Sequence, residues 1–252
     1  MSYIHKINNY ILSSKNKIFV TDWKPTKISN VIVWLESSHK NINFNSNKKI
    51  NFWKDSSGFN NHAIQDNNYY KPLFIENNIN NNNSLYFNNS NFLKISNIKI
   101  NYFTIFLVFN ASGGTYLYEY GDNISSQNGF YLTGDVPTSL ITSSGLTTAT
   151  MKTYTNNWMI QNYSPKIICH TYNGTASSHL MYLNNIQRLS SYLYNNDPGS
   201  INGSQDLYIG SKNNGVSGFN GYINEFILIN RAITQDENIL IFNYLNKKYN
   251  IY

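Results

Sequence analysis

The 252-residue chain has a single cysteine, Cys169, and only two arginines, Arg188 and Arg231. One thiol excludes an internal disulfide and agrees with synthesis in a reducing compartment. The net charge of +6 comes from scattered lysines, the densest being pairs such as Lys48–Lys49 and Lys247–Lys248. These make no basic stripe with interleaved aromatics, so nucleic acid is not an expected partner. No apolar run approaches the roughly 20 residues that cross a bilayer, and membrane insertion is not expected either. The opening MSYIHKINNYILSSKNK interrupts its apolar positions with polar and charged residues. It therefore lacks the continuous apolar segment of a signal peptide.

Catalytic signatures are missing as well. The five histidines show neither HExxH nor Cys-linked spacing, which argues against zinc. There is no GxSxG, P-loop or GxGxxG. His170 follows Cys169 directly, but successive strand residues face opposite sides, so the two form no dyad. None of the 13 acidic residues stands two positions from another. The carboxylate pair that a strand-borne glycosidase presents is absent, although acids from different strands can still converge.

What is abundant is asparagine, about 45 residues, with much Ile, Lys and Tyr. Short runs rich in β-branched and aromatic residues alternate with Asn, Ser and Gly clusters. Strands are predicted at 31–37, 84–88, 92–96, 102–110, 115–121, 129–134, 150–155, 166–172, 179–184, 206–210 and 221–230. So many strands without intervening helices predict an all-β, antiparallel two-sheet sandwich. NNINNNNS (77–84) reads as a mobile loop, and Asn184–Asn185 as a two-residue hairpin turn. The period changes in TQDENILIFNYLNKKY. Thr234 and Glu237 form a capping box, Asp236 favours the first turn and the two lysines the last, so a C-terminal helix starts near Thr234. In YFTIFLVFN, Phe103, Ile105, Leu107 and Phe109 belong to the inter-sheet core. Phe106 and Val108 then need a cover: the helix (favoured), the N-terminal arm or a neighbouring subunit.

Recognition is the chemistry left to look for. GTYLYEYGDN puts Tyr116, Tyr118 and Tyr120 on one strand face, with Leu117 and Glu119 opposite. Tyr118 and Tyr120 are candidates to stack on sugar rings, with Asp122 and Asn123 as hydroxyl partners; the other reading makes the tyrosines core. Trp158 and Tyr163, among amides in TNNWMIQNYS, are a second candidate pair, either packed as a lid or exposed for binding. In WKDSSGFNNHAIQ, Asp55 is placed to accept from following backbone N–H groups and Gly58 to supply positive φ, while Trp53 packs at the sandwich edge.

Taken in order, PTKISNVIVWLESS, INFWKDSSGFNNHAIQ, KPLF, SLYFNNSNFLKIS, FTIFLVF, LYIGS, FNGYINEFILINRAITQDE and YLNKKY resemble the concanavalin A-like lectin/glucanase superfamily. The similar branch is the laminin-G-like one found in bacterial, phage and large DNA virus proteins. The resemblance spans 25–252 and implies a jelly-roll sandwich, with 1–24 as an N-terminal arm and possible anchor. It makes Trp53, Asp55 and Gly58 a structural turn and Glu225 a strand acid of structural or binding use. The Glu-x-Asp-x-x-Glu strand motif of the family's glucanases is absent here, so the expectation is a protein that is not an enzyme, and a glycoside hydrolase is the third choice. The resemblance implies a lectin-like domain on a virion or cell surface that binds a glycan or cell-surface receptor, with calcium possible as a cofactor. The alternative is a structural virion component, a capsid or fibre protein assembling with itself or other virion proteins.

Overall fold

A computed structural model describes residues 23–121, 129–135, 139–144, 150–155, 164–188, 191–195, 200–201, 204–215 and 217–252. The strands run in chain order as β1 (Val31–Glu36), β2 (Ile42–Phe44), β3 (Ile50–Trp53), β4 (Ala63–Ile64), β5 (Leu73–Ile79) and β6 (Asn82–Asn88). Next come β7 (Leu93–Lys99), β8 (Phe103–Gly114), β9 (Tyr116–Tyr120), β10 (Phe130–Asp135), β11 (Ser139–Ser144) and β12 (Thr150–Thr155). The series ends with β13 (Lys166–Tyr172), β14 (Leu180–Leu183), β15 (Ile186–Gln187), β16 (Ser191–Asn195), β17 (Ser204–Ile209), β18 (Phe219–Ile229) and the helix α1 (Gln235–Tyr249).

They form two antiparallel sheets. The eight-stranded sheet has the order β15-β14-β13-β8-β18-β6-β5, with β1 also paired to β18. The ten-stranded sheet has the order β16-β12-β11-β10-β9-β17-β7-β4-β3-β2. The long β8 and β18 pair along most of their length at the centre of the first sheet. Strict alternation sends Phe103, Ile105, Leu107 and Phe109 into the core shared with Leu93, Ile95, Leu207 and Ile209 of the opposite sheet.

The other face of β8 is covered by the chain's own helix. Phe106 and Val108, with Ile167, Cys169, Ile227 and Ile229, pack against Ile241, Phe242, Leu245 and Tyr249 of α1. Its start is the capping box read from the sequence, Thr234 accepting from the Glu237 amide. Its end is held by an element the sequence reading misplaced. Residues 77–84 are no loose loop: Asn80 and Asn81, both at positive φ, turn β5 into β6. The Asn80 amide then donates to the carbonyls of Tyr249 and Asn250, and the Asn82 amide to that of Lys248. These are the helix-end carbonyls that have no intrahelical donor. Asn184 and Asn185 make the predicted hairpin turn, with φ of 48° and 63°.

A buried carboxylate ties α1 to the sheet. Glu225 on β18 is 1% exposed. Its Oε1 accepts from the Trp34 indole at 2.7 Å and the Tyr244 hydroxyl at 3.1 Å. Its Oε2 accepts from Lys248 at 2.7 Å and the Tyr249 hydroxyl at 2.8 Å. Lys248 also reaches Glu36 at 2.7 Å, the cross-strand partner of Glu225. Acids from two strands do converge here, but under the helix and around a shared cation. Burial works to raise the Glu36 carboxyl, yet Lys248, with help from Lys40 and Ser38, outweighs it and leaves the group below its ordinary value. Burial works to lower the Lys248 ammonium, and the Glu225 and Glu36 carboxylates outweigh it upwards. Each shift stabilises the ionised clamp: Glu36 contributes above its ordinary value and loses this as pH falls through its lower folded one.

Lys248→Met is therefore expected to cost about 3 kcal/mol at neutral pH, because it leaves two carboxylates facing each other without a cation. Without Lys248 to hold it down, the Glu36 carboxyl rises beside its like-charged neighbour, so the variant gains stability as the pH falls. Urea denaturation at neutral pH and again near pH 4 checks this: the gap to the natural chain should narrow in acid, and a constant gap would assign the loss to packing alone.

Candidate functional site

The turn after β3 is built inwards. Asp55 is buried and its carboxylate is filled: Oδ1 accepts from the amides of Trp34 and Ser57, both at 2.8 Å, and Oδ2 from the Asn61 amide at 3.0 Å and the Ser57 hydroxyl at 2.7 Å. Its own amide donates to His62 Nδ1 at 3.0 Å. Gly58 takes φ of 98°, in open space, so conformation and not crowding requires glycine there. Trp53 lies fully buried in the inter-sheet core, deeper than the edge position expected of it, and its indole donates to the Glu36 carbonyl at 2.9 Å. The unit fastens the end of β3 to β1.

The expected tyrosine stripe is corrected by the structure. Tyr118 and Tyr120 are fully buried in the inter-sheet core, where neither can stack on a sugar. Between Tyr116 and Tyr118 the β9–β10 register slips by one residue, so Leu117 also turns inwards. The Tyr118 hydroxyl lies 2.6 Å from His170 Nδ1, and His170 Nε2 lies 2.8 Å from His179 Nε2. Cys169, next in the chain, faces α1 instead. Asp122, Asn123, Trp158 and Tyr163 lie outside the described residues, as do 1–22 of the expected arm.

A polar recess opens on the outer face of the ten-stranded sheet, beside Gly121, where β9 ends. It holds about 290 Å³. Asn97 of β7 and Ser204, Gln205, Asp206 and Tyr208 of β17 line it. Gly121 and Asn213 close its rim. A bulge makes it: between Ile95 and Ile98, β7 carries one residue more than β17 opposite, and Asn97 takes φ of 52°. The freed Asn97 amide donates to Asp206 Oδ1 at 2.9 Å. Lys94 approaches Asp206 Oδ2 at 3.2 Å and the Tyr208 hydroxyl approaches it at 3.4 Å. The Gly121 amide donates to the Asp206 carbonyl at 2.9 Å. Both partners of the Lys94–Asp206 pair are partly exposed, so it fixes position and adds little stability. A cross-strand row passes through the site: Ile64, Lys94, Tyr208, Glu119 and Tyr131. Glu119, fully buried, accepts from the Asn213 amide at 2.7 Å and so holds the rim loop.

Sequence reasoning passed over these residues although DLYIG carries the sign. Leu207 and Ile209 face the core, which sends Asp206 and Tyr208 outwards together. The bulge at Asn97 has no such mark. Calcium does not fit the turn, because each oxygen of Asp55 already takes two donors. Among the described residues no group of three or more His, Cys, Asp or Glu is placed to hold a metal ion.

No protein-family model matches the chain, and no curated protein sequence matches it significantly. Solved structures do share its fold. Domain 4 of AbnA, a GH43 extracellular arabinanase of Geobacillus stearothermophilus in complex with arabinotriose, is 13% identical at a TM-score of 0.57, covering 82% of this chain and 96% of that one. A Trypanosoma rangeli sialidase in complex with sialic acid is 13% identical at 0.60, covering 98% of this chain and 40% of that one. The receptor-binding domain of botulinum neurotoxin type G is 15% identical at 0.55, covering 86% and 52%. The chain thus spans well under two thirds of the sialidase and toxin chains. The expectation of a protein that is not an enzyme is corrected by these neighbours. The fold occurs within chains of enzymes, so the missing glucanase motif does not exclude catalysis. Among the described residues no helix is long and apolar enough to cross a membrane.

Asp55→Ala is expected to cost about 2–4 kcal/mol, more than a local turn acceptor is worth, since it strands buried donors from two segments. Thermal unfolding with a parallel binding assay checks it: an unaltered melting temperature would show that the amides find water instead.

Proposed function

We propose that this chain is a lectin-like recognition domain that engages a glycan, free or on a cell-surface receptor, through the recess around Asp206. A virion or cell surface is the setting in which such a domain serves. The observation that carries the reading is the lining itself. Side-chain amides from Asn97, Gln205 and Asn213, hydroxyls from Ser204 and Tyr208 and one oriented carboxylate meet in about 290 Å³. That is hydrogen-bonding capacity of both signs in a volume suited to one or two sugar rings, with Tyr208 as an aromatic wall. The fold neighbours support it in kind: one is an arabinanase domain in complex with arabinotriose, another a sialidase in complex with sialic acid, a third a toxin's receptor-binding domain. Packing of Phe106 and Val108 under α1 removes the need for a neighbouring subunit on that face. Recognition is therefore better supported than assembly.

A glycan array with the purified chain tests the proposal, followed by Gln205→Ala and Asn213→Ala. Each variant should weaken binding of the selected glycan about tenfold, the scale of a lost hydrogen-bond pair, with melting temperature unchanged. Binding that survives both variants would move the site elsewhere.

A further inference from the structure

The recess has a definite charge character. Among its described lining residues the only ionisable group of full charge is Asp206, and it faces the cavity with its cation already spent. Lys94 sits against Oδ2 at 3.2 Å and the Asn97 amide against Oδ1 at 2.9 Å. Beneath the rim lies a second carboxylate, Glu119, joined to it through the cross-strand row and bonded to the Asn213 amide. Two further cations stand near the recess without lining it: Lys99, exposed and cross-strand from Ser204, and Lys212, held toward the Tyr116 ring 5.9 Å from its centroid.

Building on the glycan reading above, we infer that the recess selects neutral sugars and rejects glycans that end in a carboxylate. A hydroxyl group can both donate to Asp206 and accept from the side-chain amides of Asn97, Gln205 or Asn213, whose backbone N–H groups at 97 and 213 are already used. A ligand carboxylate can only accept, so it loses Asp206 as a partner and is repelled by its like charge at contact distance. Two effects compete. The chain's net charge of +6 draws anions to the surface generally. That attraction is screened over about 8 Å at physiological salt, whereas the repulsion at contact is not. The local term wins.

The test uses the full chain at 0.15 M salt, about the physiological value, against matched glycan pairs that differ only in a carboxylate. These are galactose- and galacturonic-acid-terminated chains, glucose- and glucuronic-acid-terminated chains, and N-acetyllactosamine with and without terminal sialic acid. The neutral member of the bound pair should be preferred at least tenfold. Asp206→Asn, which keeps the size and an acceptor for the Asn97 amide, should bring the ratio towards one by strengthening the acidic member. Lys94→Met, which removes the balancing cation, should move the ratio the other way, and it keeps the test decisive if the first variant folds poorly. Equal or tighter binding of the acidic member, or a ratio indifferent to both variants, overturns the inference while leaving glycan recognition standing. Failure to bind any member of either set instead overturns the recognition reading on which it rests.

Discussion

A single carboxylate, that of Glu225, organises the closed side of this molecule. It sits on the central strand of the eight-stranded sheet with almost no exposure and takes four donors, from Trp34, Tyr244, Lys248 and Tyr249. An ionised group at that depth is tolerated only when its lone pairs are filled. Three of the donors come from α1 and one from β1, so satisfying the acid fixes the helix angle, its depth and the register of β1 together. Burial first, then Glu225 and Glu36, push the Tyr244 phenol above its ordinary range, and the same causes act on Tyr249. Both hydroxyls therefore stay protonated, as donors.

The consequence reaches the opposite side of the sandwich. With α1 seated, Phe106, Val108, Ile227 and Ile229 are buried, and that part of the sheet's outer face is not available to a ligand. On the ten-stranded sheet Lys94 and Asp206 stay partly exposed, with Tyr208 and Glu119 buried beside them. There the outward row mixes lysine, tyrosine and glutamate instead of apolar side chains. A one-residue bulge at Asn97 is enough to turn a pleated surface into a recess, since it frees one amide and aims it at Asp206.

Much of this architecture was legible in the residues because its signals are local. Alternation in YFTIFLVFN gave both faces of β8, and the Thr234–Glu237 spacing gave the start of α1. The asparagine pair at 184–185 marked its turn by tolerating positive φ. Where long-range partners decide, local reading failed. Asn80–Asn81 is the same turn chemistry as Asn184–Asn185, but a run of asparagines hid it, and only the helix end it holds explains its order. Tyr118 and Tyr120 look like a surface stripe in isolation. They are core because β9 lies between β10 and β17 with its inner face on Phe130 and Phe226. The candidate site was the least visible part, because it rests on a register slip between β7 and β17, which lie over a hundred residues apart in the chain.

Hydrogen–deuterium exchange of the full chain, with and without the neutral glycan it binds most tightly, tests the central claim most directly. The account predicts protection confined to three segments that meet only in the folded sheet: 94–97, 119–121 and 204–213. Protection of the 55–62 turn or of α1 in place of these segments, at saturating glycan, would contradict it.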